Sequence, residues 1–234
     1  MYCTSTQLKL FSEQELLPPD VQGRLKLPQP YCDFMKTYGD GTYGGVICIN
    51  CPDFQLLKEY AAYDFWEHEN APITKAQTAE CIVIGNSIDG DYIALHPDRD
   101  GYILLPRHSD IISFFPFHDE PFLDTIRKIS DLLYEEPWKD YDYFEPAGAH
   151  YLFMHKYKSN LHKMAKQFQA AFEYDYLIED EYTCKVFLLR MGGYVRFNFS
   201  CSEIAIFYSD YGLASFQETK NFLTERGCQI ETPL

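Results

Sequence analysis

The segment spanning residues 80–108, ECIVIGNSIDGDYIALHPDRDGYILLPRH, constrains the fold of this chain more than any other. It holds three short runs of β-branched and other apolar residues. Asp89-Gly90 and Asp100-Gly101 stand between them, where tight turns reverse a strand. Runs this short, joined by loops this short, can pair only with their sequence neighbours, so the segment predicts an antiparallel meander. A fourth run, IISFFPF, is interrupted by Pro116 and suits an edge strand, because proline cannot donate to a ladder.

The elements around the meander are read from period and punctuation. In QPYCDFMKTYGDG, Tyr31, Phe34, Met35 and Tyr38 fall at helical spacing, with Pro30 in the first turn and Gly39 at the stop. LPPDVQGRLKLPQP before it reads as an extended lead-in. The run VICI predicts a strand. PDFQLLKEYAAYDFWEHE predicts a helix from the spacing of Phe54, Leu57, Ala61 and Phe65, with Pro52 at its mouth. DEPFLDTIRKISDLLYEE predicts another. PWKDYDYFEPAGAH has no period and marks a boundary near residues 140–150. Beyond it, KSNLHKMAKQFQAAFEYD predicts a helix, CKVFLLR and YVRFNFS a hairpin around MGG, and EIAIFYS a third strand. ASFQETKNFLTERG predicts a helix closed by Gly227, and CQIET a last strand. The fold class is therefore α+β: an antiparallel sheet with flanking helices over residues 1–145, then a second small α+β domain over 146–234.

Charge divides the chain in the same place. Residues 1–150 carry 25 acids and 11 bases, whereas residues 151–234 carry 10 and 9, out of a formal net charge of -15. Such a surface repels phosphate backbones, which argues against direct nucleic-acid binding, and steers a basic partner to the first domain. The first residues lack a basic start followed by an apolar stretch, and no run approaches a membrane span, so no membrane association and a cytoplasmic location are expected. Eight cysteines without regular spacing fit reduced thiols.

A search for catalytic, cofactor and metal groups returns none. Gly39, Gly41 and Gly44 have dinucleotide-fingerprint spacing but follow a helix and precede a strand, the reverse of the required context, so they read as a turn using positive φ. Cys48 and Cys51 form a C-x-x-C pair with no second pair at zinc-site spacing, and Cys48 reads as a small core residue. His96, Asp98 and Asp100 resemble part of a calcium loop, but Arg107 stands where a closing Glu belongs. Ser87 lacks the second glycine of a nucleophile elbow. The seven histidines never pair at i, i+4, and no Gly-Lys-Ser/Thr triplet occurs. The chain therefore reads as a binding protein and not an enzyme.

Two stretches carry a family likeness. LPQPYCDFMKTYGDG, with Leu27, Pro28, Tyr31, Phe34, Tyr38, Gly39 and Gly41, resembles the opening of the SUKH superfamily, which groups bacterial immunity proteins with fungal cell-wall-synthesis regulators. IVIGNSIDGDYIALH, with Ile84, Gly85, Asp89, Gly90, Asp91, Tyr92 and Ile93, resembles its central hairpin. The likeness covers residues 27–140. It implies helices around an antiparallel sheet and a protein that binds and neutralises a cognate toxin, for instance a nuclease with a basic cleft. Under that reading Asp40, Tyr43, Asp89, Asp91, Asp98 and Asp100 are the candidate partner-binding residues. The alternative is a general cytosolic interaction scaffold or regulator with no toxin partner.

Overall fold

The computed structural model describes residues 1–18, 26–60, 62–134, 141–147, 151–156 and 160–230, without the side chains of 151–156 and 230. Parts of the lead-in, of the 137–150 boundary stretch and of CQIET lie outside the described residues. The fold is α+β. The chain divides into two compact units, Lys9–Asp140 and Met1–Leu8 with Tyr141–Leu234. Met1–Leu8, expected in the first domain, belongs to the second unit: Tyr2–Cys3 (β1) pairs in parallel with Tyr143–Pro146 (β8). A two-residue strand has no period of its own, which is why the sequence is silent on it.

The Lys9–Asp140 unit, called the acidic unit below, has 23 acids and 11 bases. Its helices are Glu13–Leu16 (α1), Gln29–Thr37 (α2), Leu56–Tyr60 (α3), Lys75–Thr78 (α4) and Phe122–Leu133 (α5). Its strands are Gly41–Tyr43 (β2), Ile47–Asp53 (β3), Ile82–Ser87 (β4), Tyr92–Leu95 (β5), Gly101–Leu105 (β6) and Ser113–Pro116 (β7). Each pairs antiparallel with the next, so the meander extends to six strands in sequence order. Every residue of β6 is buried, which requires cover on both faces.

On one face lie α2 and α5. Phe122, Ile126 and Ile129 recur at i, i+4 and i+7 and are buried; Phe122 meets Tyr31, Phe34 and Tyr102 at ring-centroid distances of 5.3, 5.5 and 5.5 Å. Each such side chain contributes about 1.5–3 kcal/mol by burial. Gly39 ends α2 at φ 76°, and a Cβ there would stand 2.0 Å from the Lys9 carbonyl, so only glycine fits. The other face is covered by Leu57, Trp66 and Ile73, packed on Val83, Ala94, Ile103 and Leu105.

The 52–69 helix is a correction. Pro52 lies inside β3, the Asp53 carboxylate accepts the N–H groups of Gln55 and Leu56 at 2.8 and 2.9 Å, and α3 stops at Tyr60. Leu57 is buried as the spacing requires, but Phe65 is exposed. The chain has left the helix before Trp66, which stands at φ 58°, a value no helix accommodates, and bonds to partners some forty residues away.

In the second unit, Tyr151–Lys156 (β9), Tyr176–Glu179 (β10), Thr183–Leu188 (β11), Gly193–Asn198 (β12), Glu203–Tyr208 (β13) and Gln229–Ile230 (β14) form one antiparallel sheet, in the order β10-β11-β12-β13-β9-β14. Leu161–Ala171 (α6) and Leu213–Glu225 (α7) pack on the face made by Cys184, Val186, Leu188, Val195, Phe197, Ile204 and Ile206. The alternate residues, Phe187 and Tyr194 among them, meet Tyr141, Tyr143 and Tyr176 on the opposite face. Lys185 is buried in that aromatic layer.

Candidate functional site

The acidic turns separate into groups with different chemistry. Asp89 and Asp91 share the β4–β5 turn, while Asp98 and Asp100 lie in the β5–β6 turn at the other end of β5. Asp89, Asp98 and Asp100 are exposed. Asp91 is only 7% exposed. Its carboxylate accepts the Ser87 hydroxyl and, at 2.9 Å, the Arg107 backbone N–H, while the Ser87 oxygen accepts the N–H groups of Asp89 and Asp91 at 3.2 and 3.0 Å. Asp91 and Ser87 therefore close the turn from inside, and Asp91 has no oxygen turned to a partner. Tyr43 is likewise buried, and its hydroxyl accepts the Arg127 Nε–H at 3.2 Å. Both residues, expected as partner contacts, are buried and bonded internally in the structure. Asp40, half-buried at the start of β2, has one carboxylate oxygen enclosed without a hydrogen-bond partner.

The remaining motifs resolve locally. His96 is buried, and its Nδ1 accepts the Asp98 N–H at 3.1 Å, which makes it part of the turn. Gly39 and Gly44 have positive φ, as a glycine turn requires, and Gly41 opens β2. Cys48 is half-buried beside Thr42, with 3.8 Å between Sγ and Oγ1, and not in the core as expected: it lies on the face of β3 opposite Ile47 and Ile49. Burial pushes the Cys51 thiol up. All eight cysteines are free. Among the described residues no cluster of three or more His, Cys, Asp or Glu side chains has metal-binding geometry, and no helix is long and apolar enough to cross a membrane.

A cleft of about 730 Å³ lies in the acidic unit, at the end of the sheet where β5 begins and β6 ends. One wall is the loop after α3. Trp66 occupies the left-handed region, strained for so large a residue, and persists because its indole Nε1–H donates to the Pro106 carbonyl at 2.6 Å and its backbone N–H to Asp110 at 3.2 Å. Tyr60 packs against Trp66, Phe65 and Tyr92 with centroids 5.8, 6.1 and 5.7 Å apart. The Tyr60 and Tyr92 hydroxyls lie 3.0 Å apart, and burial, with the Tyr60 bond second, pushes the Tyr92 hydroxyl up to about 12. The Tyr92 phenol stays protonated at neutral pH.

The facing wall is the segment after β6, with Arg107, His108 and Asp110. The loop carries Tyr63 at 60% and Phe65 at 48% exposure, their rings 5.7 Å apart, with Phe65 lining the cleft, and exposed Asp64, Glu67 and Glu69 interleave with them. Asp64 is paired with Lys75, whose ammonium holds its carboxyl below the usual range.

Sequence reading missed this site. Arg107 entered it only as a residue unfit for calcium, and Tyr60, Phe65 and Trp66 only as a helical stretch. The available signal was the density of rings in YAAYDFW, where only one of the residues at helical spacing after Leu57 is a large apolar side chain. The chain matches no protein-family model, no curated protein and no solved structure.

Proposed function

We propose that this chain is a stoichiometric binding protein of the immunity type, which neutralises a toxin through contacts of the acidic unit with a basic surface. The observation that carries this reading is the loop following α3, where exposed Tyr63 and Phe65 alternate with Asp64, Glu67 and Glu69. Rigid aromatic side chains supply most of the binding energy at protein interfaces. Surrounding carboxylates add little net affinity but accelerate encounter with a cationic partner. The charge of the unit extends that field beyond the loop, and a nuclease, which must present cations to phosphate, is a fitting target. The family likeness of residues 27–140 supports the same reading.

The test is capture of partners by the tagged full-length chain, followed by expression of each captured protein alone and with the chain. A captured protein that arrests growth alone and is tolerated in the presence of the chain supports the proposal. Reversing Glu67, Glu69 and Asp89 to Lys should then slow association at low salt and leave dissociation nearly unchanged. Capture of several unrelated proteins, none of them toxic, would instead establish the scaffold reading.

A further inference from the structure

We propose that the cleft between the α3 loop and the segment after β6 binds a flat aromatic molecule carrying one carboxylate or phosphate. This goes beyond the proposed protein partner and does not depend on it.

Size and shape come first. A volume of about 730 Å³ lies within the range of small-ligand sites, roughly 300–1,000 Å³, and exceeds the volume of a single side chain. The walls offer aromatic faces and edges from Tyr60, Phe65, Trp66 and Tyr92, so a planar ring system gains stacking and edge contacts that an aliphatic one does not. One phenol donates to the other, and the O–H of the acceptor is not used by that bond.

The charge of the occupant follows from Arg107. Its backbone N–H is held by Asp91 at 2.9 Å and its Nη1 donates to the Asp89 carbonyl at 3.0 Å. Its side chain lies across Gly90, where even a Cβ would approach Cδ to 3.0 Å. Arg107 is exposed, and the Nη1 bond places its guanidinium beside the cleft, while Nε and Nη2 make no hydrogen bond to the described residues. A guanidinium with two open donors favours a carboxylate or phosphate. His108 beside it lines the cleft as well and brings an imidazole N–H as a further donor. Asp110 on the same wall keeps its charge while its Oδ1 accepts the Trp66 N–H, so the preference for an anion rests on the open donors of Arg107 and not on the net charge of the cleft.

The rigidity of the site is a further argument. Trp66 is strained, and the two bonds that hold it tie one wall of the cleft to the other. A site preformed in this way avoids the ordering cost of binding.

The experiment is calorimetric titration of the full chain with 2-naphthoate, with its neutral counterpart 2-naphthalenemethanol, and with cyclohexanecarboxylate. We expect 1:1 binding of naphthoate with Kd below about 1 mM, and binding of each of the other two weaker by about tenfold, the worth of one charge-assisted bond or one ring contact. Arg107→Gln should bring naphthoate to the affinity of the alcohol without changing the alcohol. Phe65→Leu, at a half-exposed position, should weaken both aromatic probes together. No saturable binding of naphthoate at about 10 mM, equal affinity for acid and alcohol, or an unchanged naphthoate affinity in both variants would each overturn the proposal. Because no protein partner is present, failure here leaves the toxin-binding reading standing, and failure of that reading leaves this one.

Discussion

Replacing Lys185 by Met should stabilise the fold at neutral pH, and the gain should shrink as pH rises above 8. Lys185 lies on β11, 6% exposed, with its ammonium donating to the Tyr143 hydroxyl at 2.8 Å and standing 4.9, 5.0 and 5.9 Å from the ring centres of Tyr141, Tyr143 and Tyr194. Burial is the main influence on its pKa and lowers it from 10.5 to about 8; Glu145 and Asp180 oppose the shift, and Arg196, its cross-strand neighbour, adds to it. Below pH 8 the amine is charged in the folded and the unfolded chain, and the fold bears the whole cost of the buried charge. Between pH 8 and 10.5 the folded amine is neutral while the unfolded one still binds its proton, so stability rises with pH.

The shift of about 2.5 units corresponds to about 3 kcal/mol at pH 7. Methionine recovers that and leaves the Tyr143 oxygen without its donor, which costs about 1 kcal/mol, for a net gain of about 2 kcal/mol. Urea unfolding of both proteins under reducing conditions, at steps from pH 7 to 9.5, measures the difference. The advantage of the variant should fall by about 1.4 kcal/mol per pH unit above pH 8. The buried tyrosines, whose hydroxyls are pushed above 10, lower stability only above the pH range of the titration. A variant less stable than the parent at pH 7, or a difference that does not change with pH, would refute the reasoning.

Three further substitutions test the β4–β5 turn and the loop after α3. Asp91→Ala leaves the Ser87 hydroxyl and the Arg107 N–H without their acceptor and should cost about 2–4 kcal/mol in urea unfolding, whereas Asp89→Ala, two residues away and exposed, should stay within about 0.5 kcal/mol. Equal effects would remove the distinction between the two carboxylates. Trp66→Phe keeps a ring but loses the bond to the Pro106 carbonyl, and should cost about 1–3 kcal/mol; a neutral result would show that the bond does not hold the strained backbone.

Much of the acidic unit is legible in its residues because the information is local. The turns at Asp89-Gly90 and Asp100-Gly101, the apolar runs between them and the i, i+4, i+7 pattern of Phe122, Ile126 and Ile129 each specify an element within a dozen residues. The same holds for α6, for the β11–β12 hairpin and for α7, closed by Gly227 at φ 88°. The strands β1, β2, β8 and β10 are two to four residues long, too short to show a period, and each exists because a partner strand is there to pair with it.

The candidate site was the least legible part. The six candidate partner-binding residues were chosen as carboxylates in turns or for an aromatic ring, which does not distinguish an exposed Asp89 from an Asp91 turned inward by Ser87 and Arg107. The cleft depends on Trp66 meeting Pro106 and Asp110, forty and forty-four residues away.

By itself the sequence determined that the chain is α+β, that its middle is an antiparallel meander, and that acids gather in its first part. Tertiary structure alone decided that Met1–Leu8 joins the second unit, that the helix after Asp53 stops at Tyr60, and that rings from that loop face Arg107 across a cleft. The division has one physical cause. Periodicity and turn chemistry act between residues close in the chain, whereas a single buried hydrogen bond between distant residues can override local propensity and leaves no pattern in either segment.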